Sequence, residues 1–392
     1  MLPVQAPTTA RSYNCRCGRP VFFRNSECLG CHTQLGYEPS RGLVLPLEPV
    51  GKTGTWRPVG ASRRSPKYFR CANLASASAC NWLVDATDPN RGNPAQCRCC
   101  RLTRMLPDLS VAENALFWQR IALAQRRLVS TLIGLRLPVK SRTVEDPGRG
   151  LAFDLLRAPP GGPPIMTGHA DGVITLDIEE ADDATRETRR ASLREPYRTL
   201  LGHLRHECGH YYWQRLVDGS PWHEAFRTVF GDERQDYSAA LKRHYENGPP
   251  ADWSRGHVSA YASCHPWEDW AETWAHYLHM VDVLDTARSF GLDGENVELN
   301  YERFGADVLA GSGDPRPETF LSLLTGWMEL TGVLNELSRS MGVPDFYPFV
   351  LSAPAVRKLH FVHRVVGAAA ADDASRSLAA APPPVAGEPI AV

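Results

Sequence analysis

At 392 residues, with 43 Lys/Arg against 44 Asp/Glu, the chain is close to neutral and long enough for more than one domain. No apolar stretch approaches the roughly 20 residues needed to span a bilayer, and residues 1–10 lack the continuous apolar run of an export signal. These features exclude a membrane-spanning helical protein and lead us to expect a cytoplasmic location.

Nine of the eleven cysteines lie before residue 101, in two sets. Cys15-x-Cys17, ten residues, then Cys28-x-x-Cys31 is a compact quartet on short knuckles. Cys71, Cys80 and the cluster Cys97-Arg-Cys-Cys100 form a looser set. In it Cys97 pairs with Cys99 or, by the preferred two-residue gap, with Cys100. Thiol pairs at such spacings read as structural zinc sites, and a reducing compartment disfavours disulfides. We therefore expect a zinc ribbon over 1–50 and a second cysteine-rich zinc-binding module over 51–107, with 51–64 as a linker. Residues 1–110 carry fifteen Lys/Arg against six Asp/Glu. Eight thiolates and two zinc ions would leave a net charge of about +5. Tyr68, Phe69 and Trp82 could stack on bases, but no base-reading motif or dense basic helix accompanies them. A protein partner is therefore favoured over nucleic acid for the ribbons.

A third unit covers 108–367, and the Ala/Pro-rich stretch 368–392 reads as a disordered tail. Leu116, Ile121, Leu123, Leu128 and Leu132 recur at helical spacing within 111–136. The Gly- and Pro-rich segment 148–162 reads as loop. Gly172-Val-Ile-Thr-Leu-Asp-Ile178 alternates like a half-buried strand. At the rim of a cleft it could take an extended peptide as an added strand. The acidic run 178–183 reads as a solvated helix start. Helices are expected over 184–194, 196–217, 221–230, 235–247, 266–290 and 316–341, with a shorter one over 354–363. The fold class is thus α+β: a mostly helical domain with a small edge sheet, preceded by zinc-ribbon-like β modules.

One segment of the third unit carries chemistry, His206-Glu207-Cys208-Gly209-His210. Residues four apart share a helix face, so His206 and His210 can hold one metal ion between them. Glu207 then stands where a carboxylate can take a proton from water, which is the mechanical content of H-E-x-x-H in zinc peptidases. Leu200, Leu201, Leu204, Cys208 and Tyr211 give the helix an apolar side to bury, and Pro196 suits its first turn. A catalytic zinc site needs a third protein ligand. Leu216 stands where a third histidine of the extended motif would be, which leaves a carboxylate from a later helix. Within His265-Pro-Trp-Glu-Asp-Trp-Ala-Glu272, Glu268 and Glu272 lie on one face, and Asp269 points about 100° away.

Here the chain resembles the gluzincin-type peptidases, in which a downstream helix carries Glu-x-x-x-Asp/Glu. That resemblance implies Glu268 as third zinc ligand and Glu272 as the acid bonded to a ligand histidine, with Glu272 as ligand the internal rival. It also matches Tyr261 to a tyrosine beside the zinc, whose hydroxyl would donate to the oxyanion. With Phe230-Gly-Asp-Glu-Arg234 and the cysteine quartets, the chain is similar to a bacterial family of zinc-binding metallopeptidases with an N-terminal zinc ribbon. The resemblance implies a zincin-like fold, one catalytic and one or two structural Zn2+ ions, and a peptide or protein substrate. Two other readings share these residues: a non-hydrolytic zinc-binding adaptor, and an amidase acting on a non-protein amide. H-E-x-x-H specifies water activation rather than the bond attacked.

Overall fold

The computed structural model describes residues 9–193, 195–292, 297 and 299–379. Its first strands, β1 (Tyr13–Asn14) and β2 (Pro20–Val21), form a small antiparallel hairpin whose turn carries Cys15 and Cys17. Next come β3 (Gln34–Glu38), β4 (Leu43–Pro49), β5 (Trp56–Pro58), β6 (Tyr68–Arg70) and β7 (Leu83–Asp85), an antiparallel sheet in chain order. Gly36 allows β3 to approach β7, because a Cβ there would sit 2.4 Å from a Leu83 methyl.

This sheet crosses the boundary expected between residues 50 and 51. β4 pairs with β5 through Leu47 and Pro58, and Tyr37 bridges to Trp82. The two cysteine sets thus share one framework. The expected linker 51–64 itself holds β5, which its glycines and serines concealed. Cross-strand pairing of Arg57 with Glu48, at 2.7 Å, helps to fix that strand.

A second sheet has the order β10-β11-β9-β8. It comprises β8 (Thr103–Met105), β9 (Ala152–Leu156), β10 (Gly168–Ala170) and β11 (Val173–Asp177). β9 overturns the loop reading of 148–162. Its Ala-Phe-Asp-Leu core is buried, and the flanking Gly and Pro residues only punctuate it. β11 lies inside the sheet, parallel to β9 and antiparallel to β10. It is therefore not a free edge for a peptide. β8 also joins this sheet, although it falls within the expected 51–107 module.

The helices are α1 (Ala112–Gly134), α2 (Asp183–Leu193), α3 (Leu200–Leu216), α4 (His223–Phe230), α5 (Tyr237–Asn247), α6 (Pro266–Ser289), α7 (Pro317–Ser340) and α8 (Ala353–Ala379). α3 starts later than expected. Thr199 caps it by accepting the Gly202 N–H at 3.0 Å, so Pro196 lies before the helix. Residues 368–379, expected in the disordered tail, continue α8. Their alanines are strong helix formers, and the prolines begin only at Pro382. The rest of that tail, 380–392, lies outside the described residues.

α3 and α6 pack face to face. Gly209 makes the closeness possible, since a Cβ there would lie 3.0 Å from the Ala271 Cα. Trp270 and Trp274 fill the interface, and Trp274 Nε1 donates to Cys208 Sγ at 3.3 Å. The segment before the first cysteine docks here too. Thr9 N donates to Asp285, and Arg11 pairs with Asp282 at 2.7 Å.

Candidate metal centre

α3 and α6 bring one set of side chains together. His206 Nε2 lies 2.9 Å from Glu268 Oε2, and His210 Nε2 lies 3.5 Å from Glu268 Oε1. One ligand atom from each of His206, His210 and Glu268 falls within 4.8 Å of the others. Glu272, one turn further along α6, places Oε1 2.7 Å from His206 Nδ1. Its other oxygen accepts from Ser259 Oγ at 2.6 Å, and Ser259 Oγ accepts the Ala262 N–H. Asp269 turns away from this group and pairs with Lys358 at 2.6 Å.

A carboxylate can only accept, so Glu272 requires the proton of His206 on Nδ1. His206 Nε2 then faces Glu268 Oε2, a buried carboxylate oxygen with no hydrogen-bond partner among the described residues. The two atoms are held together either by a second proton on His206, which the flanking carboxylates favour, or by a metal cation between them. Among the described residues no lysine or arginine pairs with Glu268 or Glu272; their ion-pair partners are histidines. The donor set, two imidazoles and a carboxylate, fits zinc in its catalytic form with a position left open.

Burial pushes the Glu207 carboxyl up from its usual range. Burial also works to raise Glu268, but the His210 and His206 imidazoles outweigh it and hold that carboxyl well below. Glu272 is lowered to about 2, as its hydrogen bond with His206 overcomes desolvation.

Several residues at the site carry no signal in the sequence. The Tyr237 hydroxyl donates to Glu268 Oε1 at 2.6 Å. The Trp267 ring centroid lies 4.4 Å from that of His210. His169, on the edge strand β10, stacks against His210 at 6.4 Å. Tyr261, singled out by resemblance, stands with its ring 5.9 Å from His206. His203, one turn before His206, faces Glu180 at 3.5 Å instead of joining the group.

The cysteines gather into two quartets, Cys15, Cys17, Cys28, Cys31 and Cys71, Cys80, Cys97, Cys100, each with its sulfurs within 4.8 Å. All eleven cysteines are free thiols. Sulfur separations of 3.5 Å (Cys15 to Cys31), 3.8 Å (Cys17 to Cys28) and 3.7 Å (Cys80 to Cys97) suit one ion per quartet. Tetrahedral zinc with 2.3 Å bonds spaces its sulfurs by about 3.8 Å. Cys99 is buried outside the second quartet.

Fold and donor sets together define a zinc-binding protein of mixed helix and sheet, with an N-terminal zinc-ribbon region and a mostly helical C-terminal domain. The chain belongs to the family described as "Putative zinc-binding metallo-peptidase", whose profile matches residues 114–365. A zinc-ribbon domain profile matches residues 12–111. Uncharacterized proteins of Mycobacterium tuberculosis and Mycobacterium bovis are 40% identical to it over 364 residues, which span 92% of this chain and 97% of theirs. No solved structure matches the chain. Among the described residues, no helix is long and apolar enough to cross a membrane.

Proposed function

We propose that this protein is a zinc-dependent peptidase that hydrolyses amide bonds of peptide or protein substrates in the cytoplasm. His206, His210 and Glu268 would hold the ion, and the two cysteine quartets would hold structural zinc. The observation that carries this reading is the convergence of the three ligand atoms beside Glu207, which is only 8% exposed. When bound, zinc supplies a Lewis acid that lowers the pKa of water from about 15.7 to roughly 7 and polarises a carbonyl. Glu207 takes the proton from water and passes it to the leaving amine. Its burial raises its proton affinity, which favours its role as a base. Glu272 fixes the tautomer of His206 and keeps Nε2 turned inward. The Tyr261 hydroxyl donates to the oxygen that gains charge in the transition state. The ribbons offer a docking module for a protein partner.

The experiment is Glu207→Gln. The amide keeps the shape of the carboxylate but cannot accept a proton as a base. The variant is expected to retain all its zinc and lose peptide cleavage. Full cleavage by a clean preparation would remove Glu207 from the mechanism.

A further inference from the structure

The two oxygens of Glu268 stand in different surroundings. Oε1 accepts a hydrogen bond from Tyr237 at 2.6 Å and lies 3.5 Å from His210 Nε2, whereas Oε2 has no hydrogen-bond partner among the described residues and lies 2.9 Å from His206 Nε2. We infer that Tyr237 is a positioning residue: its phenol holds back Oε1 so that Glu268 offers a metal ion only Oε2. This rests on reading His206, His210 and Glu268 as one metal site.

The phenol is well placed for this task. Tyr237 opens α5, which Asp236 caps by accepting the Ala239 N–H at 3.0 Å. Its ring is packed edge-on against His265 at 5.2 Å and Trp267 at 6.0 Å. His265 in turn caps α6 by accepting the Trp267 N–H, and its Nε2 lies 3.2 Å from the carbonyl of Gln235. The first turns of α5 and α6 are thus tied together at the point where Tyr237 meets Glu268. A phenol donating to a carboxylate forms a charge-assisted bond, stronger than a neutral one. Only Ala240 of α5 is buried, so packing elsewhere contributes little to hold this helix in place. The hydroxyl contact therefore matters to both partners. Without it, no other hydrogen bond among the described residues keeps both Glu268 oxygens from turning to the ion, which would occupy the position that water needs.

The test uses the full chain with its cysteine sites already loaded with zinc, and cobalt added to the third site. Wild type should take up one cobalt. Tyr237→Phe, which keeps the ring and removes the hydroxyl, should bind it about 10- to 100-fold more weakly, the usual cost of losing a group that orients a ligand. Its visible cobalt spectrum should also weaken, because a carboxylate binding through both oxygens raises the coordination number. Retention of the cysteine-bound zinc reports an intact fold. Equal affinity and spectrum for Tyr237→Phe and wild type would overturn the role of Tyr237 alone. A wild type that takes up no cobalt would overturn the metal site itself, and this inference with it.

Discussion

His206 Nδ1 and Glu272 Oε1 lie 2.7 Å apart, and this contact separates the tasks of the two acids on α6. Glu272 is bonded to the far side of an imidazole whose near side faces Glu268. Glu268→Ala should therefore abolish metal binding at this site. Glu272→Ala should keep it with about 10- to 100-fold weaker affinity. Competition with a chelator measures both, and the reverse order would transfer the ligand role to Glu272.

The second quartet uses Cys100 and leaves Cys99 aside. Cys100→Ser should cost the protein one zinc ion, and Cys99→Ser none. Structural zinc contributes on the order of 10 kcal/mol to folding in small domains, so Cys100→Ser should also lower the thermal midpoint clearly. Loss of zinc in Cys99→Ser with retention in Cys100→Ser would exchange their roles.

Asp282 is buried and pairs with Arg11, Arg127 and Arg205 at 2.7, 2.7 and 2.6 Å. It joins the segment before the first cysteine, α1 and the metal-site helix α3. Asp282→Ala leaves these guanidiniums without a counter-charge and should cost roughly 3–5 kcal/mol in denaturant unfolding. A loss below about 1 kcal/mol, the scale of a surface pair, would contradict that account.

Asp285 gives a dependence on pH. Burial raises its carboxyl to about 6, even though Thr9 N donates to it. In the unfolded chain the group titrates near 3.9. Between about pH 4 and pH 6 the folded state therefore holds a proton that the unfolded state has lost, and stability falls as pH rises through that window. Asp285→Asn should flatten this part of the thermal-midpoint profile. An unchanged slope would show that other groups produce it.

The parts of the fold that could be read from the sequence were those with local signals. The helices α1, α4 and α7 follow apolar periodicity, and Pro266 marks the start of the largely buried α6 as expected. Cysteine spacing led to both quartets, because a shared ion requires close sulfurs. β9 and β5 were hidden because short strands owe their existence to partners far along the chain, while Gly and Pro counts report only their flanks. Glu180 belongs to an acidic run that reads as solvated, yet it is buried beside Arg189 and Arg198. That burial depends on arginines from α2 and the segment before α3. At the site, spacing within single helices points to His206, Glu207 and His210 and to the pair Glu268 and Glu272, while resemblance assigns the roles of that pair. Tyr237 reaches Glu268 from a separate helix 31 residues earlier. No periodicity within either segment encodes that contact.

The most direct test of the central claim is the zinc content of the wild-type protein and of His206→Ala, measured together with cleavage of a peptide library. Three clusters of ligand atoms predict three zinc ions in the wild type and two in the variant, with cleavage lost in the variant. Two zinc ions in both proteins would contradict the account.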